Sequence, residues 1–336
     1  MDIIDILDDN IVVYILNFVD DSSKMRFLST SKKVRNLLIQ KIRYSGTHDY
    51  DKIKNLSYFG QFNNIYYLAN DTNIPKGITH LEFGHNFNQP IERCIPNSVT
   101  HLTFGCNFNQ PIERCIPNSV IHLTFGYNFN QPVEECIPNS VTHLIFGSSF
   151  NQSIKGCIPE SITHLTFGWY FNKPIDNCIP NNITHLTFGY KFNQPIEGCI
   201  PDNVTHLTFG KCFNQFIKGC IPDNVTHLIF GKCFNQFIKG CIPKSVTHLE
   251  FGEEFDKPIK DSLHYGITDL LLKRNFNQPI KGCIPDSVEY LKLGKKINYS
   301  IKDCIPKNIK KILVSGRYYR KYKYQLPKDI IQVSRS

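Results

Sequence analysis

The sequence predicts a repeating β-solenoid with a small all-α module in front of it. Three observations carry this. The segment Ile95 to Ile116 (IPNSVTHLTFGCNFNQPIERCI) returns nearly letter for letter every 21 residues. Within each unit the apolar places alternate only briefly, at Leu102 and Phe104, before Gly105 interrupts them, so a unit holds one short strand. The first 45 residues lack the repeat and place apolar side chains at helical spacing instead.

In that module Asp8 or Asp9 can cap a helix carrying Ile11, Val12, Ile15, Leu16, Phe18 and Val19. A second stretch holds Met25, Phe27 and Leu28, and Ser29-Thr30-Ser31 can cap a third with Val34, Leu37 and Leu38. The string LDDNIVVYILNFVDDSSKMRFLSTSKKVRNLL resembles an F-box, with Leu7, Ile11, Val12, Ile15, Leu16, Val19, Asp20 and Met25 on its apolar pattern and Asp turn. Asp8 and Val34 stand where that family usually has Pro and Trp. The resemblance implies binding of the Skp-type adaptor of a cullin ubiquitin ligase through Leu7, Ile11, Val12, Ile15, Leu16, Val19 and Met25. The alternative is a plain helical cap over the first turn, since solenoid ends need covering. Residues 46–74, with LSYFGQFNNI, form a linker or a worn cap repeat out of register.

The repeats fill 75–336. One Phe position runs through Phe87, Phe108, Phe129 and Phe150 to Phe276, then Ile297 and Tyr318; one Pro position runs from Pro75 to Pro306, fails at His264 and returns at Pro327. Counting strand-opening residues from Ile78 to Ile330 predicts 13 turns. A lone unit cannot offset backbone ordering of about 1 to 2 kcal/mol per residue, whereas stacked units share one core. The apolar spacing resembles leucine-rich repeats. The Phe-Asn-x-Pro-Ile and Ile-Pro-x-Ser-Val-Thr-His-Leu signature resembles the FNIP repeats of social amoebae and of giant viruses that infect amoebae. What this implies is a curved, parallel, leucine-rich-repeat-like β-solenoid with strands on its concave face, built for protein binding, in the host cytoplasm if viral. Ser262, His264, Asp269 and Lys273 replace the usual Cys, Pro, His and Gly, predicting an irregularity over 261–275.

Three residue series recur once per unit. Asn88, Asn109, Asn130 and their successors read as a structural amide ladder. Ten cysteines, Cys94 to Cys304, share one place beside an apolar Ile, where a reduced thiol acts as a small hydrophobe. No Cys-x-x-Cys occurs, so a metal site has little support and no cofactor is expected. Nine histidines, His80 to His248, fall between inward Val and Leu places and are expected on the concave side, where solvated histidines with a packing role are the favoured reading and a ladder titrating near neutral pH is the alternative. An active site breaks a repeat and these residues obey it, so enzyme is the least favoured class.

Positions that vary inside the fixed frame follow each strand's Gly. Tyr127, Trp169, Tyr170 and Tyr190, with Lys211 and Lys232 at the edge, read as a strip for an unidentified target protein. Drift at exposed loop positions explains them as well.

The net charge of +9 sits in the tail, where residues 307–336 hold nine Lys or Arg and one Asp. RYYRKYKY at Arg317 to Tyr324 has the interleaved cations and aromatics of a nucleic-acid binder, but Tyr318 and Pro327 keep repeat register and make it a cap. The longest apolar run near the start, Ile11 to Leu16, is far below a membrane span, and the acidic opening Met1 to Asp5 is unlike a secretory signal. An intracellular protein with no nucleic-acid or membrane partner is expected, either a ligase substrate receptor or a binding solenoid without a ligase link.

Overall fold

The computed structural model describes residues 6–327 and 329–334; the acidic opening, Lys328 and Arg335 lie outside them. Three helices, α1 (Asp9–Leu16), α2 (Asp21–Ser29) and α3 (Lys32–Leu38), lead into one parallel sheet of 15 strands whose order in space is their order in sequence. Strands β1 (Tyr44–Asp49) and β2 (Phe62–Ala69) open it, with the single turn α4 (Tyr50–Ile53) between them. β3 (His80–Phe83) is followed by β4 to β13, three-residue strands from His101–Thr103 to Tyr290–Lys292. β14 (Lys311–Ser315), α5 (Gly316–Tyr322) and β15 (Ile331–Ser334) close it.

From β3 to β14 every pairing joins residues 21 apart, as in Leu102↔Leu123 and Leu228↔Leu249. Each side chain therefore meets its own counterpart at the strand spacing of about 4.8 Å. The core consists of such columns. Phe83 to Phe251 stack along the strand ends with centroids 5.5–5.8 Å apart. Phe87 to Phe276 stack at the next corner, 6.0–6.3 Å apart. Within a unit the two columns touch, Phe104 lying 4.2 Å from Phe108.

The polar series are also columns. The Asn88 side-chain carbonyl accepts the Asn109 backbone N–H at 2.9 Å, Asn109 does the same for Asn130, and so onward. Asp256 takes an Asn place and accepts from the Asn277 N–H. A second backbone ladder, one bond per turn, runs along the corner after each Gly, as in Tyr170 N–H to Ser148 carbonyl and Lys191 N–H to Trp169 carbonyl. The thirteen cysteines are all free. In the repeat column the thiol donates to a carbonyl two residues back, as Cys115 does to Glu113, and Ser262 keeps that bond to Lys260. Burial raises the pKa of these thiols and holds them protonated.

Two sequence expectations need correction, the one over 261–275 and the register of the last turn. The 261–275 unit is not irregular in register, because His248 pairs with Asp269 at the same 21-residue step and the substituted side chains leave the ladder intact. Residues 46–74, read as a linker or a worn cap repeat out of register, contribute strand to the sheet: β2 includes the Phe62-Asn63-Asn64 string as strand rather than corner, and it pairs Tyr66 with His80, only 14 residues on. At the other end, Ile312 pairs with Ile331, two residues short of the period, because α5 replaces the extended return path. Tyr318 does keep the corner place; it is buried and its hydroxyl donates to the Tyr299 carbonyl.

The tightest constraint is the Gly column. A Cβ on Gly189 would sit 1.7 Å from the Gly168 carbonyl oxygen, and one on Gly210 1.6 Å from that of Gly189. A different glycine, Gly198, has open space but a φ of +65°, a conformation that Arg114 and Glu135 adopt at the equivalent place with φ 54°. Gly189→Ala should therefore cost about 3 kcal/mol by forcing two turns apart, and Gly198→Ala only about 1 kcal/mol of left-handed backbone strain. Thermal and urea unfolding of the two variants measure this; equal losses would contradict the close-approach argument.

Candidate interaction surfaces

Asp8 caps α1, accepting from the Asn10 N–H, and so fills a capping role at a place where Pro could only fix the backbone. Periodicity alone could not say which stripe of α1 faces inward. Val12 and Leu16 are buried, with Leu28, Val34 and Leu38, while Leu7 and Met25 are half-buried against that core. Ile11 and Ile15 are each 49% exposed, Val19 is exposed, and Tyr14 and Phe18 beside them are more open still. The edge-to-face Tyr14–Phe18 pair, 5.1 Å apart, extends this apolar ridge. Of the residues read as adaptor contacts, Ile11, Ile15 and Val19 thus face solvent; Val12 and Leu16 hold the module together.

The module's other side closes the sheet edge. Asp21 accepts from the Ser45 and Gly46 N–H groups of β1, and contacts His48 and Lys24. These partners hold its pKa down to about 2 against the opposing effect of burial. Lys24, buried, also donates to the Arg43 carbonyl.

On the solvent side of β3 to β11 the nine histidines form one continuous stack, ring centroids 4.1–4.3 Å apart. The preceding Thr hydroxyl lies 2.9 Å from Nδ1 of His101, and the same hydroxyl donates to the Thr79 carbonyl. With its one proton spent there, it leaves Nδ1–H to donate and Nε2 outward as acceptor. Asp269 continues the column, 3.2 Å from His248. No group of three or more His, Cys, Asp or Glu among the described residues is arranged to hold a metal ion.

The strand-end strip resolves into two columns. Trp169 and Tyr190 stack at 3.9 Å with planes 10° apart, and the Lys211 ammonium lies 4.5 Å from the Tyr190 centroid. Tyr127 shares that column but the Ser148 turn separates it, Tyr170 lies in the neighbouring column, and Lys232 pairs with Glu253 at 3.6 Å. Phe216 and Phe237, 78% and 66% exposed on successive turns, were not anticipated. Their signal was in the sequence: each replaces the Pro of Phe-Asn-x-Pro.

Burial and then neighbouring imidazoles depress the pKa of His101, His122, His164 and His185. A folded-state pKa below the unfolded value means that the stabilisation is complete above the ordinary imidazole range and is lost as pH falls through the folded pKa. The thermal midpoint should therefore drop between pH 7.5 and 5.5, and the triple change His143→Gln, His164→Gln, His185→Gln should shrink that drop. A pH response identical in the two proteins would refute the ladder as its source.

No helix among the described residues is long and apolar enough to cross a membrane. Two mimiviral proteins of Acanthamoeba polyphaga mimivirus are similar to this chain: "Putative F-box protein L165", 34% identical over 26% of this chain and 32% of its own length, and "Uncharacterized protein L167", 33% identical over 28% and 31%. The aligned segments thus span about a third of those relatives. A solved structure, CroV588, described as a novel circular LRR protein, is 40% identical with a TM-score of 0.69 over 76% of this chain and 43% of that one. The model of the FNIP Repeat matches seven successive segments from residue 70 to residue 315. With its parallel, leucine-rich-repeat-like turns and this match across most of its length, the chain belongs to the FNIP repeat family.

Proposed function

We propose that the protein is an interaction adaptor with two working surfaces: the ridge of α1 and its following turn docks a Skp-type adaptor of a cullin ubiquitin ligase, and the solenoid holds a target protein. The observation that carries it is the apolar ridge Ile11, Tyr14, Ile15, Phe18 and Val19, exposed on a module whose own core is already filled by Val12, Leu16, Leu28 and Val34. Nothing in folding the module needs those side chains outside, and exposed apolar clusters of this kind mark interaction sites. The names of the mimiviral relatives support the same reading. A second reading, a binding solenoid whose helices serve as a cap, is favoured by the Asp21 contacts to β1. The two are separable, because capping uses α2 and docking uses α1.

Changing Ile15→Asp and Phe18→Asp together should abolish co-purification of the adaptor while leaving the melting curve nearly unaltered, since both sites are exposed. Leu16→Asp should instead disrupt the module, a buried unpaired charge costing several kcal/mol. A wild-type protein that retains no adaptor from host lysate would leave only the binding solenoid.

For the target, the Trp169–Tyr190 stack with Lys211 is the centre of the recognition surface, because most frame columns are committed to stacking while the corner columns differ from turn to turn. Trp169→Ala with Tyr190→Ala should weaken target capture by about 2 kcal/mol or more, the usual weight of a central aromatic. Quantitative pull-down reads this; unchanged capture moves the surface to the histidine column.

A further inference from the structure

Five cations surround one cleft at the C-terminal end of the corner columns. Arg274, Lys295 and Lys296 come from two successive corners and Arg317 and Arg320 from α5; with Ser315 and Gly316 they line a hollow of about 420 Å³. No carboxylate lines it. Neighbouring cations are engaged: Lys273 with Glu250, Lys310 with Glu289, and Lys321 with the Asn298 carbonyl. Among the described residues the five around the cleft have no carboxylate partner. An adjoining hollow shares Arg274, Lys295 and Ser315 and is also lined by Glu253, which pairs with Lys232 at 3.6 Å.

Five like charges converging without a counter-charge repel one another, and an anion seated among them relieves all of the repulsion at once. Three guanidinium forks match phosphate oxygens in bidentate fashion, and two ammonium groups add point charge. The hollow is of the size that holds a small molecule. A nucleic-acid strand would need open aromatic platforms as well as cations. The tail's tyrosines are spent elsewhere: Tyr318 is buried, Tyr319 packs on the core, and the Tyr322 hydroxyl donates to the Asn298 carbonyl. Tyr324 is open but does not line the cleft.

We propose that this cleft is a binding site for a compact, soluble polyphosphate, a ligand that concentrates several negative charges within a few ångströms. It is independent of the adaptor reading, since α1 lies at the other end of the sheet. Calorimetric titration of the full chain at physiological salt with inorganic phosphate, tripolyphosphate, adenosine triphosphate and a 20-nucleotide oligothymidylate tests it. Tripolyphosphate should bind at least about 100-fold more tightly than inorganic phosphate, because each added phosphate engages a further charge-assisted pair. Equal binding of the nucleoside triphosphate would show that the phosphate chain alone is read, in support. Arg317→Gln with Arg320→Gln should lose at least about 30-fold, as should Lys295→Gln with Lys296→Gln, which leaves α5 untouched. Lys218→Gln with Lys239→Gln, exposed lysines elsewhere on the solenoid, should lose nothing. Tighter binding of the oligonucleotide than of tripolyphosphate, or equal losses in all three double variants, would overturn the site.

Discussion

In-register pairing of residues 21 apart is the constraint on which the remaining structure depends. Once Leu102 lies opposite Leu123, every other residue of the turn faces its own copy at about 4.8 Å, so a residue type survives in a column only if it packs well against itself. Phenylalanine does so by offset stacking, asparagine by passing a carbonyl to the next amide N–H, histidine by ring stacking, and glycine by letting one corner nearly touch the next. Charged residues do not, and most of them lie in the corners and outer loops; Glu82, Glu250 and Lys292 stand on strands, singly among Thr, Ile or Leu neighbours rather than against their own kind. Where a charge does enter a ladder column, as Asp269 does, it sits directly against the last imidazole, His248.

The same rule makes the ends the weak points, because the last copy of each column has a partner on one side only. At the N-terminal end Asp21 and Lys24 turn polar side chains toward the backbone of β1 and its approach, where a further turn would otherwise have paired. An uncovered edge strand invites pairing with another chain. At the C-terminal end the asparagine ladder stops at Asn277, whose side-chain oxygen is buried without a partner, and Tyr318 fills the corner place of the missing Phe while bonding the turn below through its hydroxyl.

Repetition decided what was legible in the sequence. The phenylalanine corner, the asparagine ladder and the thiol column could be read because one residue returned at one spacing, and physical chemistry assigns a repeated buried type a repeated environment. The first two turns could not, since Phe62-Asn63 copies the corner signature by letter but lies in a strand, and the step from Tyr66 to His80 has no 21-residue echo. In the last turn, α5 shortens the path at residues whose letters still matched the frame. For the helical module, spacing identified α1 but gave equal claims to the Ile11–Ile15 and Val12–Leu16 stripes; only the packing of α2 and α3 chose between them. Of the strip, the sequence identified the variable positions but not that Trp169, Tyr190 and Lys211 form one contiguous stack on three successive turns.

The frame also relaxes toward both ends, with a Cβ position on Gly105 lying 2.0 Å from the carbonyl below it, and the C-terminal end is where the cationic cleft lies. After Phe251 the strand-end phenylalanines give way to Leu272, Leu293 and Val314, smaller side chains that no longer hold adjacent rings face to face. Lys273 replaces glycine in the tightest column, and the Cβ position on Gly294 lies 2.1 Å from the carbonyl below it, against 1.6–1.8 Å from Gly126 to Gly252. A few tenths of an ångström per turn is small, yet it falls where Arg274 and Lys295 stand in successive corners of one column with no opposite charge between them. In the body of the solenoid a column can carry alternating signs, as at Lys232 and Glu253. Here the like charges and the looser corner act in the same direction, leaving a hollow whose walls are held by β14 and α5 and whose charge only a bound anion can neutralise.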